Sequence, residues 1–131
     1  MKYACFGLFD RKKIDALSRN ELDELMRKCE PHLKGLYGSS NFLMDIGVKS
    51  GGVALGRLKG RIERADGNAG PGMMREIGNV FIIEAENMEE AIEAAKMHPA
   101  LSLPEGEAFG WSVEIHEVHT FEVKRGLRQR P

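Results

Sequence analysis

Four histidines, a carboxylate set into an apolar strand pattern and a glycine-rich loop are where this 131-residue chain could do chemistry. His32 lies three residues after Cys29 and four before Leu36, at the edge of an inward-facing helical stripe. An imidazole that titrates near neutrality at the mouth of a cleft can shuttle protons; the plainer role for such a residue is a packed histidine with one ring nitrogen bonded to backbone. Near the C-terminus the odd positions run Trp111, Val113, Ile115, Glu117, His119, Phe121, Val123. Two polar residues thus interrupt one apolar strand face, and a buried polar group needs a partner. The pattern leaves Glu117 and His119 open as cleft residues, as dimer-interface contacts or as solvated groups at a strand end. His98 is followed by Pro99 and closes a helical pattern, where an imidazole can cap the last free carbonyls and complement the helix dipole.

Other chemistries are poorly served. His116 and His119 stand three apart on a strand, so they face opposite sides and cannot chelate together without a bulge. With no cysteine cluster and no H-E-x-x-H helix, no metal is expected. The glycines of residues 66–78 match neither G-x-G-x-x-G nor a P-loop, and no G-x-S-x-G or Cys-His nucleophile pattern occurs. No cofactor is therefore expected. That loop reads instead as a lid over a site. Arg57, Lys59 and Arg61 share one alternating face, which reads as a solvated sheet face before an anion patch.

The bulk numbers bound the partners. At 131 residues, 42% hydrophobic and 30% charged, the chain is the size and composition of one folded domain, here residues 1–123. The formal charge of -1 gives no field toward nucleic acid or an anionic membrane. No segment approaches the roughly 18 apolar residues that span a bilayer. The opening MKYACFGLF is cut by Asp10-Arg11-Lys12-Lys13 and reads as a strand, not a signal sequence. Residues 124–131, with Lys124, Arg125, Arg128 and Arg130, read as a solvated basic tail. Cys5 and Cys29 fall on apolar patterns, as buried free thiols do in a cytoplasmic protein.

The elements that must position these residues follow from periodicity. Residues 2–9 and 80–83 are apolar without alternation, which marks strands buried on both faces. Ser18 and Glu21 form a capping box before a helical stripe through Tyr37, with a kink or break expected at Pro31. Residues 42–49 read as a strand with Phe42, Met44, Ile46 and Val48 on one face and Asp45 on the other. Residues 55–64 read as one accessory strand, Asn87 and Glu90 as a second helix start, and residues 111–123 as the last strand. Without the accessory piece this is the α+β split βαβ order of ferredoxin-like folds, whose first and third core strands lie centrally. Two helices cover one face of such a sheet. The other needs a second cover, and an isologous homodimer is the usual one, the alternative being a monomer whose long loop folds across that face; with a twin subunit that face becomes a wall of any site.

MKYACFGLF, the segment ADG before the loop, IGNVFIIEAENMEEAIEAAKMHPA and the terminal SVEIHEV resemble the YCII-related family, including its DGPF-type members. The sequence departs from the DGPF motif itself, reading Asp66-Gly67-Asn68-Ala69. The resemblance implies a dimeric α/β barrel and an acid/base pair of His and Asp: PHLKGL places the histidine at His32, and Asp45 is the nearest acidic candidate. It also makes His98, in the HPA segment, a ligand-binding candidate beside Glu117 and His119. The expected function is a small cofactor-free, lyase- or isomerase-like proton-transfer enzyme acting on a small organic acid, with His32 as acid/base and Asp45 or Glu117 as its orienter. The alternative is a non-catalytic small-ligand-binding or regulatory module using the same cleft.

Overall fold

The computed structural model describes residues 1–66, 76–124 and 126. In chain order the elements are β1 (Lys2–Phe9), α1 (Arg11–Asp15), α2 (Arg19–Tyr37), β2 (Phe42–Gly47), β3 (Val53–Leu58), β4 (Arg61–Asp66), β5 (Glu76–Glu84), α3 (Met88–Ala95), α4 (Pro99–Ser102), α5 (Glu105–Ala108) and β6 (Ser112–Glu117). The architecture is α+β. Four antiparallel strands form the main sheet in the order β2-β5-β1-β6, which puts β1 and β5 in the centre. These are the strands whose sequences lack alternation, as expected of strands with apolar residues on both faces.

The helices pack on one face only. Tyr3, Cys5, Phe81 and Ile83 point to that side and are buried with Leu36 of α2 and Ala91 and Ala95 of α3. A second cluster joins Leu25 and Cys29 of α2 to Leu103. The capping box forms as expected: Ser18 Oγ accepts from Glu21 N–H at 3.1 Å, and Glu21 Oε1 accepts from Ser18 N–H at 2.9 Å. Asn87 likewise accepts from Glu90 N–H at 2.9 Å to start α3. No break occurs at Pro31, which is carried inside a continuous α2; packing of Leu25, Cys29 and Leu36 on either side of it outweighs the one lost backbone bond.

Four other expectations are corrected. Residues 55–64 are not one accessory strand but fall on the two arms of a hairpin, β3 and β4, which among the described residues pair only with each other. Lys59 and Gly60 both have positive φ (52° and 78°), the conformation of a tight turn that matches strand twist. Lysine is an uncommon residue there, so the alternation read straight through the turn. The last strand ends at Glu117 rather than Val123, and β5 begins at Glu76, before the apolar run. In β2 the register slips between Phe42 and Met44, so Leu43 is an extra residue. Phe42 pairs with Ile83 and Asp45 with Phe81, which turns both toward the helices. Simple alternation had placed Phe42 and Asp45 on opposite faces.

A second slip lies between the central strands, after Gly7. Gly7 pairs with Asn79, and Leu8 already pairs with Ile77. A Cβ at Gly7 would collide with the amide oxygen of Asn79, so this glycine makes room for that side chain. Gly56, by contrast, has nothing within 4 Å of its Cβ position. In urea unfolding, Gly7→Ala should therefore cost about 1–3 kcal/mol through overpacking, whereas Gly56→Ala should stay within about 0.5 kcal/mol of the parent. Equal costs would show that Asn79 does not depend on Gly7.

Candidate functional site

A cleft of about 490 Å³ lies between the helix-facing side of the sheet, α2 and the start of α4. Phe9, Met26, Leu33, Pro99 and Trp111 make its apolar wall. Tyr37, Asp45, Asn79 and His98 make its polar end.

Each polar residue arrives there for a local reason. Asp45 faces inward because of the bulge at Leu43. Asn79 sits two residues before Phe81 on the same face of β5, in the space left by Gly7. Tyr37 ends α2 with its ring against Phe42, 4.8 Å between centroids. His98 is the N-cap of α4: Pro99 supplies the preset φ of the first helical residue, and His98 Nδ1 accepts from Ala100 N–H at 3.0 Å. Its ring lies flat on Phe81, with centroids 5.2 Å apart and planes within 1°. The His98 imidazole therefore does not cap the carbonyl end of the preceding helix, as its position after α3 had implied. It caps the amide end of the next one, and the polarity of the contact is reversed.

Hydrogen bonds join three of them, Tyr37, Asp45 and Asn79, and His98 stands next to Asn79. Tyr37 donates its hydroxyl to Asp45 Oδ2. Asn79 Nδ2 donates to Asp45 Oδ1 at 2.9 Å and stands 3.3 Å from His98 Nε2. Asp45 is thus held by two donors and fixed in orientation. Burial pushes the His98 pKa down to about 4, with the Asp45 carboxylate pulling weakly the other way. Burial first, then the hydrogen bond to Asp45, raise the Tyr37 hydroxyl to about 12. At neutral pH the ring of His98 is neutral. Because Nδ1 accepts from Ala100, the ring proton is on Nε2, toward the cleft.

The remaining sequence candidates lie elsewhere. His32 is half-buried and outside the cleft lining; its Nδ1 is 2.6 Å from Ser102 Oγ. That hydroxyl also stands 3.0 Å from the His98 carbonyl and 3.2 Å from that of Met97, so His32 braces the turn that carries His98. Glu117 pairs with Tyr3 at the far end of β1, and both Glu117 and His119 are exposed. Neither lines the cleft. His116 lies against Phe6 and 3.2 Å from Glu114. The stretch expected to form a lid falls largely on residues 67–75, outside the described residues, as does most of the basic tail. Among the described residues, no group of three His, Cys, Asp or Glu could hold a metal and no helix is long and apolar enough to cross a membrane.

Tyr37 and Asn79 are the site residues that sequence reasoning missed. Tyr37 was absorbed into an apolar stripe. Asn79 carried a readable signal: it falls at period two with Phe81 and Ile83, a polar side chain on the buried face of an inner strand. Compared with protein-family models and with curated proteins, the chain finds no match in either.

The neutral His98 carries a pH signature. Its folded pKa lies below the unfolded value of 6.5, so its unfolded form takes up a proton first as pH falls. The stability linked to it is complete above pH 6.5 and is lost between there and about pH 4, by roughly 3 kcal/mol in total. Denaturant midpoints measured across that window should fall less steeply in His98→Asn, whose side chain can still cap Ala100. Identical slopes for the two proteins would remove the buried neutral imidazole.

Proposed function

We propose that the chain is a small proton-transfer catalyst of the lyase or isomerase kind, with Asp45 as the base. The observation that carries this reading is that a fixed carboxylate and a buried neutral imidazole stand on either side of Asn79 at the polar end of an apolar cleft. Asp45 takes a proton from a carbon next to a carbonyl. The electron pair moves to the carbonyl oxygen, and the resulting enolate oxygen accepts from His98 Nε2–H. A neutral imidazole can stabilise such an oxygen without first giving up its proton. Returning the proton to another carbon completes an isomerisation; expelling a leaving group completes an elimination. His32 then acts through Ser102 on the placement of His98 rather than on the substrate, a different part from the acid/base role implied by the YCII-related resemblance.

A second reading, a binding module without turnover, is favoured by one feature: both Asp45 oxygens already accept hydrogen bonds, from Tyr37 and Asn79. One measurement separates the two. Small carbonyl compounds are incubated with the protein in D₂O and followed by proton NMR for exchange at the α-carbon. Catalysis predicts exchange with at least one compound and a rate lowered about 10²–10⁴-fold in Asp45→Asn. Exchange that survives the substitution would exclude Asp45 as base.

The same proposal includes a twin subunit, in the manner of a dimeric α/β barrel. The face of the main sheet away from the helices carries Phe6, Leu8, Met44, Val80 and Ile82, with Ile46 and Ile77 each nearly half exposed (49% and 46%). Val53, Leu55, Leu58 and Ile62 of the hairpin are also exposed. An apolar surface of this kind is the mark of an association face. Light scattering is expected to give twice the mass of the 14.6 kDa chain, and Ile46→Glu to return it to one chain with an unchanged circular dichroism spectrum. A wild-type mass of one chain at every concentration would overturn the dimer.

A further inference from the structure

The polar end of the cleft has a donor left over. Asp45 Oδ1 is taken by Asn79 and Oδ2 by Tyr37. His98 Nε2–H faces Asn79 Nδ2 at 3.3 Å, where neither nitrogen can accept: one carries the ring proton, and the other is an amide NH₂ already donating to Asp45. His98 is only 9% exposed and lines the cleft, and among the described residues this N–H has no hydrogen-bond acceptor. A buried unmet donor is costly, and an oxygen brought by a ligand relieves it.

The rest of the lining narrows what that ligand can be. Asp45 is the one side chain among the described lining residues that carries a charge at neutral pH, and neither Lys nor Arg is among them. A carboxylate entering here would meet a like charge with no cation to offset it. The wall of Phe9, Met26, Leu33 and Trp111 calls for an apolar body.

Resting on the reading that this cleft is the site, we infer that its ligand is an uncharged, apolar-bodied carbonyl compound, held by its carbonyl oxygen on His98 Nε2–H, and that carboxylates are turned away. The cleft thus selects ketones, aldehydes, lactones or amides, and not the small organic acids expected from the sequence.

The test uses the full chain and two probes of matched shape, cyclohexyl methyl ketone and cyclohexanecarboxylate, at pH 7.5. Trp111 is the only tryptophan, so its fluorescence reports occupancy, and amide NMR shifts of Gly7, Asn79 and Ala100 report location. The ketone is expected to perturb all four and to move the His98 Nε2–H resonance. The acid should bind at least about tenfold more weakly, and Asp45→Asn should close most of that gap by improving the acid. Equal or tighter binding of the acid, an unchanged gap in Asp45→Asn, or no perturbation of these residues by the ketone up to its solubility limit would each overturn the inference. Failure of the catalytic reading looks different: the ketone binds as described, but no compound exchanges its α-hydrogens. Exchange without any preference for ketone over acid would instead remove the selectivity and leave catalysis standing.

Discussion

The hydrogen bond from Ala100 N–H to His98 Nδ1 is the contact on which the site depends. It satisfies one of the free amides at the start of α4, and in doing so it decides which ring nitrogen carries the proton. The stack on Phe81 fixes the plane of the ring, and burial keeps it neutral. Four separate properties of the histidine, its rotamer, tautomer, charge and exposure, are thus set by structural contacts rather than by a ligand. Pro99 contributes by holding the first turn of α4 in a helical φ, and Ser102 by bonding the backbone carbonyls of Met97 and His98 from inside the same turn. His32, reaching from α2 to Ser102, joins that turn to the longest helix.

The second constraint is the pair of irregularities in the sheet. An unbroken β2 would send either Phe42 or Asp45 away from the helices. With Leu43 inserted, Phe42 joins the core and Asp45 reaches the cleft. The slip beside Gly7 does a similar service on the neighbouring strands, leaving a gap in which Asn79 lies. Bulges add one residue and re-aim the side chains after it, which is why they gather where a strand must serve both packing and chemistry.

These features explain what could and could not be read from the chain. Strand order was legible because inner strands must be apolar on both faces, and residues 2–9 and 80–83 show it directly. Helix starts were legible because Ser18/Glu21 and Asn87/Glu90 are local hydrogen-bond patterns. Asp45 was reached through the family resemblance; the periodicity set it opposite Met44 and Ile46, as the register has it, but put Phe42 on the wrong face, since a period-two argument cannot register an added residue. His98 was assigned to the wrong end of a helix because a His-Pro pair reads equally as a stop and as a cap followed by a first-turn proline. The hairpin was read as one strand because Lys59 is not a residue that announces a positive φ. The hairpin and the face of Phe42 were each misread at a single residue, Lys59 and Leu43, whose backbone conformation changes the meaning of its neighbours.

The same alternation separates the two faces of the sheet by task. Asn79, Phe81 and Ile83 look toward the helices, and Val80 and Ile82 look away. The sequence had made the outer face a wall of the site, yet the cleft lies on the helix side, with β1 and β5 between it and that face. A partner seated on the outer face would touch none of Tyr37, Asp45, Asn79 or His98. It would press instead on Phe6, Leu8 and Val80, whose strand neighbours Gly7 and Asn79 form the floor of the polar end. Association and chemistry would then communicate only through the two central strands, and the glycine at position 7, where those strands approach the Asn79 amide, is the point at which a shift in one would reach the other.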